Sequence, residues 1–468
     1  MKPLRNIARL TAGDFLARTL SFLAFVYLAR VLGVSSFGVL EFANSVLTYL
    51  LLLADAGIER WGTREAARAG DVRQLVSHVV PLRLLLATAA LVIILATLPV
   101  FPAYPHLRTV LALFTLTLFP QAMNLKWVLM GQEKMSTVAR GLVLAQTIFA
   151  VAVLVFVHSP DRLVWVPILR LAADSAVSAY FLRLFTRSHG GLGFVLDLAW
   201  VRQALRPAVT MGISQAMGLL NYNFDSVLLG FLRGATVVGW YNAAYKPVII
   251  ALALPMTYFI GLYPALARSY GSDRDEFRGL VRRSVELSAV FVVPLVVGGM
   301  LLAEPIIHLL YGPEYASSAG PFRILVWSAA LVILRSTYAE ALRATGYQKL
   351  DLRCAITSAS FNVALNVLLT PRYGMLGAAS ATVTADVIWL AMAYYYFQRD
   401  VLTNEPLPSF KTPVLAGVVM AGFLWLAQPL VWSGRALIAV LIYLAILIAT
   451  GDSTLRAALR QFYGKPAP

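Results

Sequence analysis

Residues 11–31 have the sequence TAGDFLARTLSFLAFVYLARV, in which Asp14, Arg18 and Arg30 are the only charges. About 20 apolar residues in an α-helix cross a hydrocarbon core of roughly 30 Å. The stretch follows a basic leader, but it is too long for a signal peptide and has no obvious small-residue cleavage site. It therefore predicts a first membrane-spanning helix.

Similar apolar runs recur over the whole chain of 468 residues, of which 59% are hydrophobic and 13% charged. Soluble domains carry roughly one quarter charged residues. Because every backbone polar group must be paired within the lipid, such runs form helices. The predicted fold class is an all-α integral membrane protein with about 14 transmembrane helices, near residues 11–31, 37–57, 76–100, 107–129, 138–158, 163–185, 207–231, 238–265, 284–303, 320–342, 353–371, 374–398, 412–432 and 434–450.

The net charge of +16 is distributed over short loops. A nucleic-acid-binding protein would gather its basic residues in one domain or stripe, so nucleic acid is not an expected partner. The loops and span ends on the two sides hold 27 and six Lys and Arg residues, respectively, and six more lie within the predicted spans. By the positive-inside rule the rich side is cytoplasmic, which places both termini there. The excess of basic residues also favours contact with anionic membrane lipids.

Enzymatic and cofactor chemistry finds little support in the sequence. Cys354 is the only cysteine and is expected to be a small core residue, and the five histidines form no close pair or HExxH motif. There is no GxxxxGK[ST] phosphate loop to indicate an ATPase. We therefore predict no catalytic residue, metal or cofactor. A membrane glycan polymerase or ligase remains an alternative, although it would normally need a larger extramembrane loop.

An internal repeat divides the chain. An offset of 201 residues aligns Gly33 with Gly234 and Gly38 with Gly239. The repeat predicts an N-terminal six-helix lobe over residues 1–200, a C-terminal six-helix lobe over 201–400, and two extra helices with a cytoplasmic tail over 401–468. Each repeat contains an even number of helices, so the lobes are parallel repeats that can rock about an axis along the membrane normal.

Several motifs follow one another along the chain in this order: Ala29-Arg30-Val31-Leu32-Gly33, Asp55-Ala56-Gly57, Asp225-Ser226-Val227-Leu228-Leu229-Gly230, Val238-Gly239-Trp240-Tyr241-Asn242-Ala243-Ala244-Tyr245-Lys246, Asn362 with Asn366, and Pro371-Arg372-Tyr373-Gly374. Together they resemble the multidrug/oligosaccharidyl-lipid/polysaccharide (MOP) exporter superfamily, and most closely its prokaryotic polysaccharide-transporter branch, which includes the O-antigen-unit flippases. The resemblance covers essentially the whole chain.

This resemblance implies two lobes around a V-shaped central cavity. It also implies a flippase that moves a polyprenyl-diphosphate-linked oligosaccharide or polysaccharide repeat unit across the cell inner membrane without hydrolysing ATP. The partners implied are that lipid-linked substrate, membrane lipids and other polysaccharide assembly proteins. A multidrug antiporter or a peptidoglycan-precursor flippase of the same superfamily is the alternative. The chain lacks the second-helix motif of the precursor flippases and exceeds the usual twelve helices of the antiporters.

Charged residues inside predicted spans are the candidates for the substrate site, because each costs roughly 2.5–3.5 kcal/mol on insertion and normally faces a cavity or a partner. We predict that Arg18, Lys246 and Arg335 bind the diphosphate. Further candidates for sugar contacts are Asn221, Tyr222, Asn242 and Tyr245, and those for ion coupling or charge balance are Asp14, Glu41 and Asp225. Arg170 and Asp174 are expected to pair along one helix face. Arg83 and Arg323 are expected to snorkel to the interface.

Overall fold

The computed structural model describes residues 2–68, 70–403, 410–427 and 431–450, with the side chains of residues 2–9, 198, 214, 215, 220 and 221 excepted. Within these ranges the regular structure is entirely helical. The α-helices are α1 Lys2–Asp55, α2 Ile58–Arg68, α3 Val72–Thr97, α4 Leu107–Leu116, α5 Leu118–Met123, α6 Lys126–Gly131, α7 Met135–Phe156, α8 Trp165–His189, α9 Leu198–Leu232, α10 Ala235–Ser272, α11 Arg274–Leu301, α12 Ala303–Tyr311, α13 Ala319–Ala344, α14 Gln348–Asp400, α15 Lys411–Leu426 and α16 Trp432–Ala449.

Two of these helices are long enough for two membrane crossings. The 54 residues of α1 and the 53 of α14 would each be about 80 Å long if straight, more than twice a hydrocarbon core. Gly33 (φ 71°) interrupts α1 and Gly374 (φ 56°) interrupts α14. Each helix is therefore a pair of spans joined at a glycine that adopts a left-handed conformation.

The described residues contain eight helical stretches that are long and apolar enough to cross a membrane, including the two double ones. Apart from residues 428–430, which lie outside the described part of the chain, each predicted span falls mainly on helical residues. The prediction of an all-α, multi-span membrane protein is therefore confirmed.

The structure departs from the predicted boundaries at two places. The span predicted over 107–129 is divided into α4, α5 and α6, and the Asn124 side chain accepts a hydrogen bond of 2.9 Å from the Lys126 backbone N–H at the start of α6. The basic loop predicted over 58–75 contains the helix α2. Pro120 and Asn124 were the available signals for the break, because both favour turns and helix ends.

The chain divides into two units, Met1–Asn242 and Ala243–Pro468. In the N-terminal unit, α1 packs against α7 and α9, and α2 packs against α6. In the C-terminal unit, α13 packs against α11 and α14, while α15 and α16 cover α11. The Tyr443 hydroxyl on α16 donates a 3.0 Å hydrogen bond to the Val290 carbonyl on α11, which fixes the two C-terminal helices to this unit.

Glycines bring α1 and the start of α10 into backbone contact within the N-terminal unit. A Cβ on Gly38 would lie 1.8 Å from the Ala235 carbonyl oxygen, and one on Gly239 would lie 2.3 Å from the Val34 carbonyl oxygen. Small residues allow membrane helices to approach this closely. We call this crossing the glycine contact.

Candidate functional site

Asp14 and Arg18 form the ion pair that their spacing predicts. The Arg18 Nε lies 2.7 Å from the Asp14 carboxylate, and the two side chains are 55% and 44% exposed, respectively. The predicted first span begins at residue 11, and Arg18 lies seven residues later, about 10 Å along the helix. Lipid would penalise two half-exposed charges at this depth. The pair therefore favours a water-filled space beside the first half of α1.

Two side-chain hydrogen bonds join α9 to α10 near the middle of the chain. The Tyr241 hydroxyl donates to the Asp225 carboxylate. The Asn242 amide donates to the Ser226 hydroxyl at 3.0 Å and also to the Val238 carbonyl at 3.0 Å. Asp225, Tyr241 and Asn242 are all buried. In this state Asp225 and Asn242 hold two helices together, and their roles in ion coupling and sugar binding stay predictions.

The other candidates on these helices differ in burial. Glu41 on α1 and Tyr245 on α10 are buried, whereas Tyr222 and Lys246 are half-buried. The side chain of Asn221 lies outside the described part of the chain. Lys246 belongs to the C-terminal unit and Arg18 to the N-terminal unit. Their convergence on one head group stays a prediction.

Arg335 is enclosed by side chains of the C-terminal unit. Its guanidinium carbon lies 3.6 Å from the centroid of the Trp389 ring, and its Nε lies 3.7 Å from the Asp386 carboxylate. The Ser328 hydroxyl donates a hydrogen bond to the same carboxylate. Arg335, Asp386 and Ser328 are buried. Arg335 would have to leave this environment to contact a substrate, and its predicted binding role stays open.

Arg83 was expected to snorkel to the membrane interface, and the structure buries it instead. Arg83 is only 6% exposed, lies 3.4 Å from the Asp55 carboxylate and donates to the Asn124 carbonyl at 3.3 Å. The prediction that Arg83 snorkels to the interface is therefore wrong. Its partner lies 28 positions earlier in the sequence, on another helix, where helix periodicity gives no signal.

Beside this pair, the Lys126 ammonium lies 2.7 Å from the Glu59 carboxylate. Burial, the largest influence, opposes ionisation of Glu59, but the charges of Lys126 and Arg83 outweigh it and hold the pKa of Glu59 below its usual value. The Asp55 carboxylate also accepts a 3.1 Å hydrogen bond from the Glu59 backbone N–H. These ion pairs join the end of α1 to α2, α3 and α6.

The remaining intramembrane arginines are paired. Arg170 lies 3.2 Å from Asp174, as its i, i+4 spacing predicts, beside a cavity of about 220 Å³ inside the N-terminal unit. Arg323 is 41% exposed and lies 2.7 Å from Glu304 near the start of α13. Cys354 is buried, as predicted. Among the described residues, no group of three or more His, Cys, Asp or Glu side chains could hold a metal ion.

Comparison with known proteins finds families and relatives that match most of the chain. The family described as "Polysaccharide biosynthesis protein" matches residues 4–270, and the MatE family matches residues 210–368. A putative O-antigen transporter of Escherichia coli K12 is 22% identical, covering 85% of this chain and 97% of its own. A probable low-salt glycan biosynthesis flippase of Haloferax volcanii is 21% identical, covering 90% of this chain and 89% of its own.

Solved structures share the fold. A lipid II flippase MurJ in an inward closed conformation gives a TM-score of 0.79 at 14% identity, covering 96% of this chain and 99% of that one. An inward-facing multidrug resistance transporter of the MATE family gives 0.64 at 14% identity, covering 83% and 96%. The family match covers more than half of the chain, and these folds agree with it. The chain belongs to the polysaccharide biosynthesis protein family, within the MOP superfamily.

Proposed function

We propose that the protein is a flippase that moves a polyprenyl-diphosphate-linked oligosaccharide or polysaccharide repeat unit across the cytoplasmic membrane by alternating access. Two lines of support are its family and its relatives named as an O-antigen transporter and a glycan flippase. Those relatives are transporters and flippases, so this chain is a transporter rather than an enzyme.

The orientation is part of the proposal. The division of Lys and Arg into 27 and six supports an inner-membrane protein with both termini in the cytoplasm. In this arrangement residues 1–200 and 201–400 form the two lobes around a V-shaped cavity, and residues 401–468 are appended to the second lobe. The substrate enters from the cytoplasmic leaflet and its lipid tail stays in the bilayer.

The half-exposed pair of Asp14 and Arg18 is the observation that carries this proposal. A diphosphate enters a low-dielectric cleft only where cations meet it. At an effective dielectric near 20, each contact at about 4 Å contributes roughly 4 kcal/mol before desolvation is subtracted. Arg18 and the half-buried Lys246 are the cations that we propose make such contacts, whereas Arg335 would first have to separate from Asp386.

A reconstituted flipping assay tests the proposal. Purified protein in liposomes is given fluorescent lipid-linked oligosaccharide, lipid II or a cationic drug, with and without ion gradients. We expect movement of the oligosaccharide. Movement of lipid II or the drug alone would support the alternatives within the superfamily and contradict ours.

Arg18→Ala separates substrate binding from charge balance. We expect it to abolish flipping while leaving the amount of inserted protein near normal. Arg323→Ala is the matched control, because it removes an arginine of similar exposure that also pairs with an acid. If the double variant Arg18→Ala, Asp14→Ala recovers flipping, then Arg18 only neutralises Asp14 and the proposed site is wrong.

A further inference from the structure

A groove of about 420 Å³ opens between α2, α3 and the first turns of α9 in the N-terminal unit. It is lined by Trp61, Glu65, Arg68, Trp200 and Gln203, among others. Its volume falls within the roughly 300–1,000 Å³ of small-molecule sites. We call it the tryptophan groove.

Two indole rings form its apolar walls. Trp61 and Trp200 meet edge to face, with centroids 5.7 Å apart and planes at 71°. The His78 ring lies 4.8 Å from the Trp200 ring. Contacts of this kind hold Trp200 in place, so a ligand that stacks on it meets a surface that is already ordered.

The helices that carry these rings are locked together. Gly57, in the turn between α1 and α2, has φ 81°, and a Cβ there would lie 2.1 Å from the Ala208 carbonyl oxygen on α9. The carboxylate of Asp55 anchors the start of α2 through the backbone N–H of Glu59. The groove is therefore formed by helices that are fixed against one another rather than by loosely packed segments.

Polar groups surround the indoles. Glu65 lies 3.0 Å from the Arg64 Nε. Arg68 and Gln203 are exposed, and within the described part of the chain neither has a hydrogen-bond or ion-pair partner. Their donors and acceptors are available to a ligand. A pyranose ring has a face of C–H groups that stacks on an aromatic ring and a rim of hydroxyls that needs such partners.

We infer that the tryptophan groove binds sugar rings of the lipid-linked glycan, outside the diphosphate site and before translocation. This inference rests on the proposed function. Arg68 lines the groove, and Arg60, Arg64 and Arg73 belong to the same basic stretch of sequence, 58–75, which the charge distribution predicts to be cytoplasmic. It would thus hold the distal sugars of a long glycan while the first sugar and the diphosphate enter the cavity.

Glycan length provides the test. The host's lipid-linked oligosaccharide and a form trimmed to its first sugar are compared in the flipping assay. We expect Trp200→Ala to raise the half-maximal concentration of the full oligosaccharide about tenfold and that of the trimmed lipid less than about twofold. Trp165→Ala, which removes another partly exposed tryptophan stacked on a neighbouring ring, should change neither.

Binding is measured separately, so that the groove is tested whether or not flipping occurs. In detergent, the thiol of a Gln203→Cys variant is labelled with a maleimide, while the buried Cys354 stays unreactive. We expect the full oligosaccharide to slow labelling at least about fivefold and the trimmed lipid to leave it unchanged.

The outcomes distinguish the two proposals. Protection of the thiol without flipping by the wild-type protein would reject the proposed function and keep the groove as a glycan site. Flipping without protection would reject the groove. Equal losses for both substrates in Trp200→Ala would also reject it, because an interfacial tryptophan that only anchors the helix predicts that result.

Discussion

The glycine contact predicts that one added methyl group opens the predicted outer end of the protein. In Gly38→Ala the new Cβ would lie 1.8 Å from the Ala235 carbonyl oxygen and 2.9 Å from the Gly239 nitrogen. Real Cβ atoms essentially never approach a heavy atom closer than 3.0 Å, so α1 and α10 must separate by more than 1 Å. Overpacking of this kind costs roughly 1–3 kcal/mol.

This overpacking destabilises the closed state, in which α1 and α10 touch, and leaves any state in which the two helices are apart unchanged. Since 1.4 kcal/mol is a factor of ten in an equilibrium, we expect the open population to rise about tenfold or more. The assay is the rate at which an impermeant outside maleimide labels a Thr236→Cys variant, which carries its thiol next to the contact. We expect Gly38→Ala to raise that rate about tenfold.

Gly218→Ala is the matched control, because a Cβ at this α9 glycine has no neighbour within 4 Å. The buried Cys354 reports global unfolding and should stay unlabelled in every variant. Equal labelling rates in Gly38→Ala and Gly218→Ala, with Cys354 protected in both, would refute the argument that this contact closes the outer end.

Three further predictions concern other parts of the chain. Asp386→Ala removes the carboxylate that lies 3.7 Å from the buried Arg335, and loss of one partner of a buried pair costs about 3–5 kcal/mol, so the midpoint of thermal unfolding in detergent should fall well below that of Arg323→Ala. The folded pKa of Glu59 lies below its unfolded value of 4.5, so the ionised side chain stabilises the fold fully above pH 4.5, and this contribution is lost as pH falls through the folded pKa. Glu59→Gln should therefore lower the unfolding midpoint at neutral pH. The difference from wild type should disappear under acid conditions. Cysteine labelling of intact cells with an impermeant reagent tests the topology. We expect thiols introduced at Arg64, Gln203 and Arg278 to be shielded, and thiols at Ser159 and Glu314 to be labelled. The reverse pattern would invert the proposed orientation.

Physical rules that act along one helix made much of the fold predictable. Lipid forces the backbone of each apolar run into a helix, so the spans could be located from hydropathy. The i, i+4 spacing places Asp14 beside Arg18 on one face, and the structure has that ion pair. Glycines in the predicted turn between spans mark the left-handed residue that interrupts α1 at Gly33.

Contacts between distant helices could not be predicted in the same way. Arg335 pairs with Asp386 across 51 positions and stacks on Trp389, and no periodic pattern links these residues. The tryptophan groove was missed for the same reason, because Trp61 and Trp200 meet only after α2 and α9 pack together. Hydropathy would have placed both rings in an interfacial belt.

The glycine contact gives the internal repeat a physical meaning. The Cβ of an alanine at 38 would strike the Ala235 carbonyl and the Gly239 nitrogen, and one at 239 would approach the Val34 carbonyl and the Gly38 nitrogen. The offset of 201 residues that aligns Gly38 with Gly239 also aligns Val34 with Ala235. Each contact of a residue in the first repeat with the second is therefore matched by the equivalent contact in the opposite direction, as in an isologous interface around a two-fold axis. A methyl group on either side separates the same two backbones, so Gly38→Ala and Gly239→Ala should have similar effects, and the double variant should cost less than their sum.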